Sequence, residues 1–416
     1  MDGNLIIRNT RIVTPVGRTS RKGPEQMNSL RIIDRGVIVI EEGNIKYSGK
    51  QDNCPRLKNL GNYVTIDAGG CVALPGFVDS HTHLVFGGFR PDEFEWRLRG
   101  ESYMSIMERG GGIQSTVNAT KTADLKHLLK KAIWFLKRMS EMGVTTVEAK
   151  SGYGLDKATE LKMLDIISDL NQIEGKFIDI IPTFLGAHAV PPEYKGHTNE
   201  CVDYLIEMLP EVKNKAKFCD VFCEKNVFEI EESRRLLEAA RKEGLKLKLH
   251  ADEIVSLGGA ELSAELNAVS ADHLLHISDT GIEKMAEKGV VATLLPLTAF
   301  ALKEEYAPAR KLIDGGCAVA LATDLNPGSC FSGSFPLVIA LACIYMEMTI
   351  EETITALTLN GAAALDMAAE TGSLEEGKRG DVVLLGSDNY KVLPYYVGMN
   401  CVKTTVYKGN IVYNQN

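Results

Sequence analysis

A chain of 416 residues with a 45% hydrophobic and 24% charged share has the make-up of a folded protein with room for one large barrel and a smaller companion. Its net charge of -9 argues against nucleic acid or an anionic membrane as partner, since both select for clustered Lys and Arg, and a small molecule fits better. The 9 cysteines form no CxxC pair, which predicts free thiols in a reducing cytoplasm, and the start around Asp2 shows no signal-peptide pattern.

From Leu5 to about Leu74, short β-rich runs at residues 5–7, 37–40, 45–47 and 64–66 alternate with glycine and charged turns, which predicts a small sheet. From Pro75 to Ala369, apolar strand-like runs alternate with helical stretches. The runs cover residues 76–81, 145–149, 178–185, 219–223, 245–250, 268–273, 290–295 and 318–323. Eight strands with helical returns predict an α/β fold, a closed (β/α)8 TIM barrel over residues 75–369. The clearest helix covers 123–141, with Leu125, Leu128, Leu129, Ala132, Leu136 and Met139 on one face. Cys219 and Cys223 read as buried strand residues, and the apolar run 335–346, too short to span a bilayer, reads as a buried helix. Residues 381–385, 392–397, 401–407 and 411–413 read as strands, with Lys408-Gly409-Asn410 as a turn. Residues 1–74 and 370–416 are therefore expected to form one composite β-sandwich domain with the barrel inserted between them. Neither GxGxxG nor GxxxxGK[ST] occurs, which removes support for a nucleotide fold.

In a parallel barrel, functional groups gather at the C-terminal strand ends. Of the 8 histidines, that rule keeps His81 and His83 after the first strand, His188 after the third, His250 ending the fifth and His273 ending the sixth. It sets aside His127, His197 and His276. His81 and His83 are two apart in an extended run, so both rings point to one side and could share a metal. HxH alone is a weak signal; His250 and Asp324, each closing a later strand, strengthen it. Three imidazoles and a carboxylate suit one divalent ion, Zn²⁺ or iron (Fe²⁺/Fe³⁺), with a position left for water. Glu253, three residues past His250, is a candidate to hand a proton to a leaving nitrogen, and His273 to hold an oxyanion. The bland alternatives are a solvated loop acid and a histidine bonded to a backbone carbonyl.

The lead-in Leu74-Pro75-Gly76-Phe77-Val78-Asp79-Ser80-His81-Thr82-His83, with His250-Ala251-Asp252-Glu253, Ser270-Ala271-Asp272-His273 and Ala322-Thr323-Asp324, resembles the amidohydrolase superfamily. More narrowly, Phe86-Gly87-Gly88-Phe89-Arg90, Gly110-Gly111-Gly112-Ile113, Lys150-Ser151-Gly152-Tyr153-Gly154, Leu185-Gly186-Ala187-His188 and Asp324-Leu325-Asn326-Pro327-Gly328-Ser329 resemble its imidazolonepropionase family. The resemblance implies hydrolysis of 4-imidazolone-5-propanoate to N-formimidoyl-L-glutamate in histidine degradation, by a cytoplasmic homodimer with metal positions at His81, His83, His250 and Asp324. It implies substrate contacts at Arg90, Tyr103, Tyr153, His188, Glu253, Asn326, Gly328 and Ser329, and catalytic roles for Glu253, His273 and Asp324. Arg90 suits a substrate with a carboxylate arm, because a planar guanidinium grips a carboxylate bidentately. Two rivals differ in testable ways: a ring deaminase of the same superfamily has no carboxylate for Arg90, and a scaffold without turnover would have lost metal ligands.

Overall fold

The computed structural model describes residues 3–56, 60–101, 109 and 111–415. The chain opens with β1 (Leu5–Pro15), β2 (Leu30–Glu41), β3 (Asn44–Lys50), β4 (Val64–Asp67) and β5 (Val72–Pro75). It continues through β6 (Phe77–Asp79), β7 (Val144–Lys150), β8 (Asp179–Ala187), β9 (Phe218–Cys223), β10 (Lys246–Ala251), β11 (Ser270–His273), β12 (Val291–Leu294) and β13 (Ala318–Leu321). It closes with β14 (Val382–Leu385), β15 (Val402–Tyr407) and β16 (Asn410–Asn414).

Strands β6 to β13 pair in sequence order, parallel throughout, each followed by helical chain, as expected for a (β/α)8 barrel. The seam between the first and last strands is closed by the segments just beyond them. Thr82 bridges Leu325, Asp324 donates its N–H to the His81 carbonyl at 3.0 Å, and His83 donates to the Leu325 carbonyl at 2.9 Å. One turn lower, the buried Asp79 carboxylate accepts from the Thr323 N–H at 3.0 Å and hydroxyl at 2.7 Å. Two strand ends that carry expected metal ligands are thus fixed to each other by the closure of the barrel itself.

Both chain ends meet in a second sheet, in the order β16-β15-β14-β5-β1-β2-β3, with β4 also pairing with β1. Its inner face buries Leu5, Ile7, Ile12, Ile38, Ile40, Val382, Leu384 and Val406. The step from this sheet to the barrel takes a single residue, Gly76, where a Cβ would lie 2.2 Å from the Thr145 hydroxyl. Arg379 ties the two bodies together: it reaches Asp179 at the start of β8, Thr146 on β7 at 2.6 Å and Asp381 beside β14.

Two local expectations are corrected. Residues 392–397 are not a strand; Val392–Tyr395 is one helical turn. Pro394 has no N–H for a ladder, β5 and β15 already flank β14, and Leu393 alone is buried while Tyr395 and Val397 are exposed. The long helix begins at Leu125, capped by Asp124 accepting from the His127 N–H, and Leu125 in its first turn is 51% exposed rather than on the buried face. The helix Phe335–Ile344 is buried along most of its length, and no helix among the described residues is long and apolar enough to cross a membrane.

Candidate active site

Each expected ligand leaves the end of a barrel strand in a conformation that the closing chain dictates. Asp324 and His273 lie in the left-handed region, at φ 55° and 76°, so the backbone turns abruptly at both positions. Such strain in non-glycine residues marks sites where the surroundings over-determine the geometry. His81 and His83 flank the bridge at Thr82, and His250 is the penultimate residue of β10. The ring centroids of His81 lie 5.4 Å from His83 and 4.6 Å from His250.

The resulting donor set is compact. Ring nitrogens of His81, His250 and His273 lie within 4.8 Å of one another, and so do donor atoms of His81, His83 and Asp324. Oδ1 of Asp324 lies 3.6 Å from His81 Nε2 and 3.4 Å from His83 Nε2. His81 Nε2, His250 Nε2 and Asp324 Oδ1 are buried without a hydrogen-bond partner among the described residues. Orphaned donors of this kind are costly unless something satisfies them, and a divalent cation would satisfy all three at once. The residues present therefore fit such an ion.

Burial and neighbouring positive groups push His81 and His83 well below the ordinary imidazole range, so both rings are neutral and able to donate lone pairs. Burial raises Asp324 to about 6, partly offset by the Thr298 hydroxyl, which donates to Oδ2 at 2.6 Å. Burial opposes charge on His250, yet the Asp220 carboxylate, 3.0 Å from its Nδ1, outweighs this and raises it.

Above the donors opens a cavity of about 440 Å³, lined by His83, Arg90, Tyr153, His188, His250, Glu253, His273, Asp324, Asn326, Gly328 and Ser329. It also takes in Glu93 and Arg97, which the sequence did not single out. Tyr103 lies outside the described residues. His81 sits beneath the cavity, fully buried.

The loops that carry these side chains are pinned by buried acids. Asp252, at φ 49°, accepts N–H groups from Leu257, Gly258 and Gly259 on one oxygen and from Ala260 on the other, and Glu224 accepts from Ile254 at 2.8 Å. Between those anchors Glu253 reaches toward His273, Oε1 lying 3.3 Å from Nδ1. Burial and the nearby Asp324 raise the Glu253 carboxyl to about 8, so it carries a proton at neutral pH. Glu160 accepts from the N–H groups of Gly152, Gly154 and Leu155 and so fixes the loop of Tyr153. Gly152, at φ 106°, leaves space for His188, whose Nδ1 donates to the Gly152 carbonyl at 3.0 Å. That bond assigns the proton to Nδ1 of His188, whose ring stacks on His83 at 4.8 Å.

At the far side, Arg90 is 10% exposed, with Nη1 3.4 Å from Glu93 Oε2, and its Nε is buried without a partner among the described residues. Glu93 also accepts from the Gly112 N–H at 3.0 Å, tying the helix Pro91–Leu98 to the glycine loop. Arg97 donates to the Gly328 carbonyl, and a Cβ on Gly328 would lie 1.8 Å from Arg90 Nη2. The Asn326 side chain is spent on its own turn, donating to the Asp324 carbonyl and accepting from the N–H groups of Gly328 and Ser329. The cavity thus combines a donor cluster with two guanidinium groups, Arg90 and Arg97, and the Glu93 carboxylate beside Arg90.

A sequence profile of the Amidohydrolase family matches residues 72–412. The chain is 64% identical over 419 residues to an imidazolonepropionase of Bacteroides thetaiotaomicron, covering 100% of each. It is 62% identical over 418 residues to one of Phocaeicola vulgatus, again covering 100% of each. Among solved structures it is similar to a 5-methylcytosine deaminase from Klebsiella pneumoniae liganded with 5-fluorocytosine, at TM-score 0.74 and 16% identity over 99% of this chain and 98% of that one. At that identity the likeness speaks for the fold alone.

Proposed function

The chain belongs to the amidohydrolase family and groups within it with the imidazolonepropionases, and from that premise we propose how its cavity hydrolyses 4-imidazolone-5-propanoate to N-formimidoyl-L-glutamate. The observation that carries the reading is the pairing, in one cavity, of an orphaned His and Asp donor cluster with a buried guanidinium, Arg90. A neutral ring base has no use for Arg90, whereas a propionate arm does.

His81, His83, His250 and Asp324 would hold a divalent ion, zinc or iron according to availability. Such an ion supplies Lewis acidity toward the ring carbonyl and makes water nucleophilic near neutral pH. Arg90 grips the propionate, Tyr153 donates toward the ring oxygen, and His188, whose Nδ1 proton is spent on the Gly152 carbonyl, accepts from a ring N–H through Nε2, with Gly328, Ser329 and Asn326 shaping the loop against the arm. Tyr103 is assigned to the same arm. Asp324, oriented by the Thr298 hydroxyl on Oδ2, takes up a proton from the attacking water. His273 stabilises the oxygen that gains charge, and Glu253, protonated at neutral pH, delivers its proton to the ring nitrogen as the C–N bond breaks. The working form is assigned as a cytoplasmic homodimer that meets neither nucleic acid nor membrane; the net charge of -9 and the resemblance support this.

Ultraviolet monitoring of imidazolone propionate, with guanine and cytosine as comparison substrates, tests the reading. Consumption of the imidazolone acid alone is expected. Deamination of either base with the imidazolone acid left intact would overturn it.

A further inference from the structure

Beneath the donor cluster the barrel interior holds five side chains of opposite charge types, all at 0% exposure: Glu148, Lys150, Asp220, Lys248 and Asp272. Glu148 and Lys150 are two apart on β7, as are Lys248 and His250 on β10, so each pair faces the barrel axis from one strand. Lys150 Nζ lies 2.7 Å from Asp220 Oδ2, 2.9 Å from Glu148 Oε2 and 3.6 Å from Asp272 Oδ2. Lys248 Nζ lies 3.2 Å from Glu148 Oε1 and 3.5 Å from Asp272 Oδ2, and donates to the Ser80 carbonyl at 2.9 Å. His81, Glu148 and Asp272 bring donor atoms within 4.8 Å of one another, spacing a metal could use, but these two ammonium groups already lie among their oxygens.

The same carboxylate oxygens face upward as well. Asp272 Oδ2 lies 2.6 Å from His81 Nδ1, and Asp220 Oδ2 lies 3.0 Å from His250 Nδ1. Each of these rings is therefore one carboxylate away from Lys150. Lys248 reaches Asp272 but has no contact with Asp220 among the described residues, so Lys150 is the cation common to both. A buried ionic layer is less favourable than a packed apolar one of the same volume. Its retention directly under two rings, with Asp272 hydrogen-bonded to His81 Nδ1 and Asp220 within ion-pair distance of His250 Nδ1, calls for a use other than stability.

We propose that Lys150 is a positioning residue of the metal centre, orienting Asp272 and Asp220 so that His81 and His250 carry their protons on Nδ1 and present Nε2 to the ion. This rests on the reading of His81 and His250 as ligands. Carboxylate partners of this kind fix ring orientation and tautomer, and their loss typically weakens metal binding about 10- to 100-fold.

The test compares the full-length protein with Lys150→Met, using zinc competition against a chromophoric chelator and ¹⁵N spectra of histidine-labelled, metal-free protein. Expected are zinc affinity lower by about 10- to 100-fold and mixed Nδ1–H and Nε2–H signals from His81 and His250. Arg379→Met, far from the cavity, serves as the destabilised reference and should keep both the affinity and the single tautomers. If Lys150→Met does not fold, Asp220→Asn replaces it, and there His250 alone should lose its single tautomer. Affinity within twofold of the parent with both rings still Nδ1–H would overturn the proposal. If zinc leaves the His81 and His250 signals of the parent protein unmoved, the ligand assignment itself falls, and the proposal with it.

Discussion

Arg90 and Gly328 are a matched pair. The guanidinium occupies the space that any side chain at 328 would need, 1.8 Å from Nη2. Arg90→Ala removes a charge-assisted contact of about 1.5–3 kcal/mol, so KM for the imidazolone acid should rise by about 10- to 100-fold with bound metal unchanged; an unchanged KM would sink the assignment. Gly328→Ala should raise KM in the same direction by displacing Arg90, with a smaller effect on kcat. Glu253 adds a pH signature. Its acid form is the one that works, and it is lost as pH rises through about 8, so kcat/KM should fall above that pH. Glu253→Gln should lower kcat by about 10²–10⁴ and abolish that limb, and a limb that persists in the variant would assign it to another group. At this scale the sequence announced the donors, because His81, His83, His250 and Asp324 interrupt apolar runs at strand ends. The buried layer below went unread: its charges lie inside the apolar runs of β7, β9, β10 and β11, and spacing along one strand does not say which neighbour each meets. Arg97 and Thr298 sit on helices 231 and 26 residues from their partners Gly328 and Asp324, and Glu93, although it is only three residues from Arg90, lies on a charged helix where no local pattern marks it.

At the scale of elements, the eight barrel strands were legible because parallel strands buried on both faces read as continuous apolar runs between amphipathic helices. The turn at Val392–Tyr395 was not, since β-branched and aromatic residues suggest a strand until the absence of a free sheet edge decides otherwise. The junction between sheet and barrel was equally hidden, because it joins Arg379 to Asp179, 200 residues away. Burial opposes charge on Asp179, but the guanidinium of Arg379 and the ammonium of Lys176 hold its carboxyl below the ordinary range. A depressed carboxyl contributes stability above the unfolded value, near 3.9, and loses it as pH falls through the folded one. Arg379→Met takes the guanidinium from the buried Asp381 and leaves Asp179 to the ammonium groups of Lys176 and Lys408, and should cost about 3–5 kcal/mol in urea unfolding, with a shallower loss of stability at acid pH. A cost under about 1 kcal/mol would show that the junction is carried by apolar packing instead.

For the whole molecule, barrel closure and metal site are one construction: the bonds between the His81 and Asp324 segments both seal the last strand to the first and set the donors face to face. Binding to that preformed cluster should stabilise the folded chain, by about 4 kcal/mol when free metal is about 1,000 times its Kd. The chelated protein should therefore unfold at a lower temperature than the loaded one. The central claim is a single divalent ion on His81, His83, His250 and Asp324 that this chain uses to open the imidazolone ring. The most direct measurement is a titration of zinc or ferrous iron into chelator-stripped protein, following imidazolone propionate consumption and bound metal together. The account predicts no turnover without metal and a rate that climbs linearly to a plateau at one ion per chain. Full turnover by stripped protein, or a metal-loaded protein that leaves the substrate intact, would contradict it.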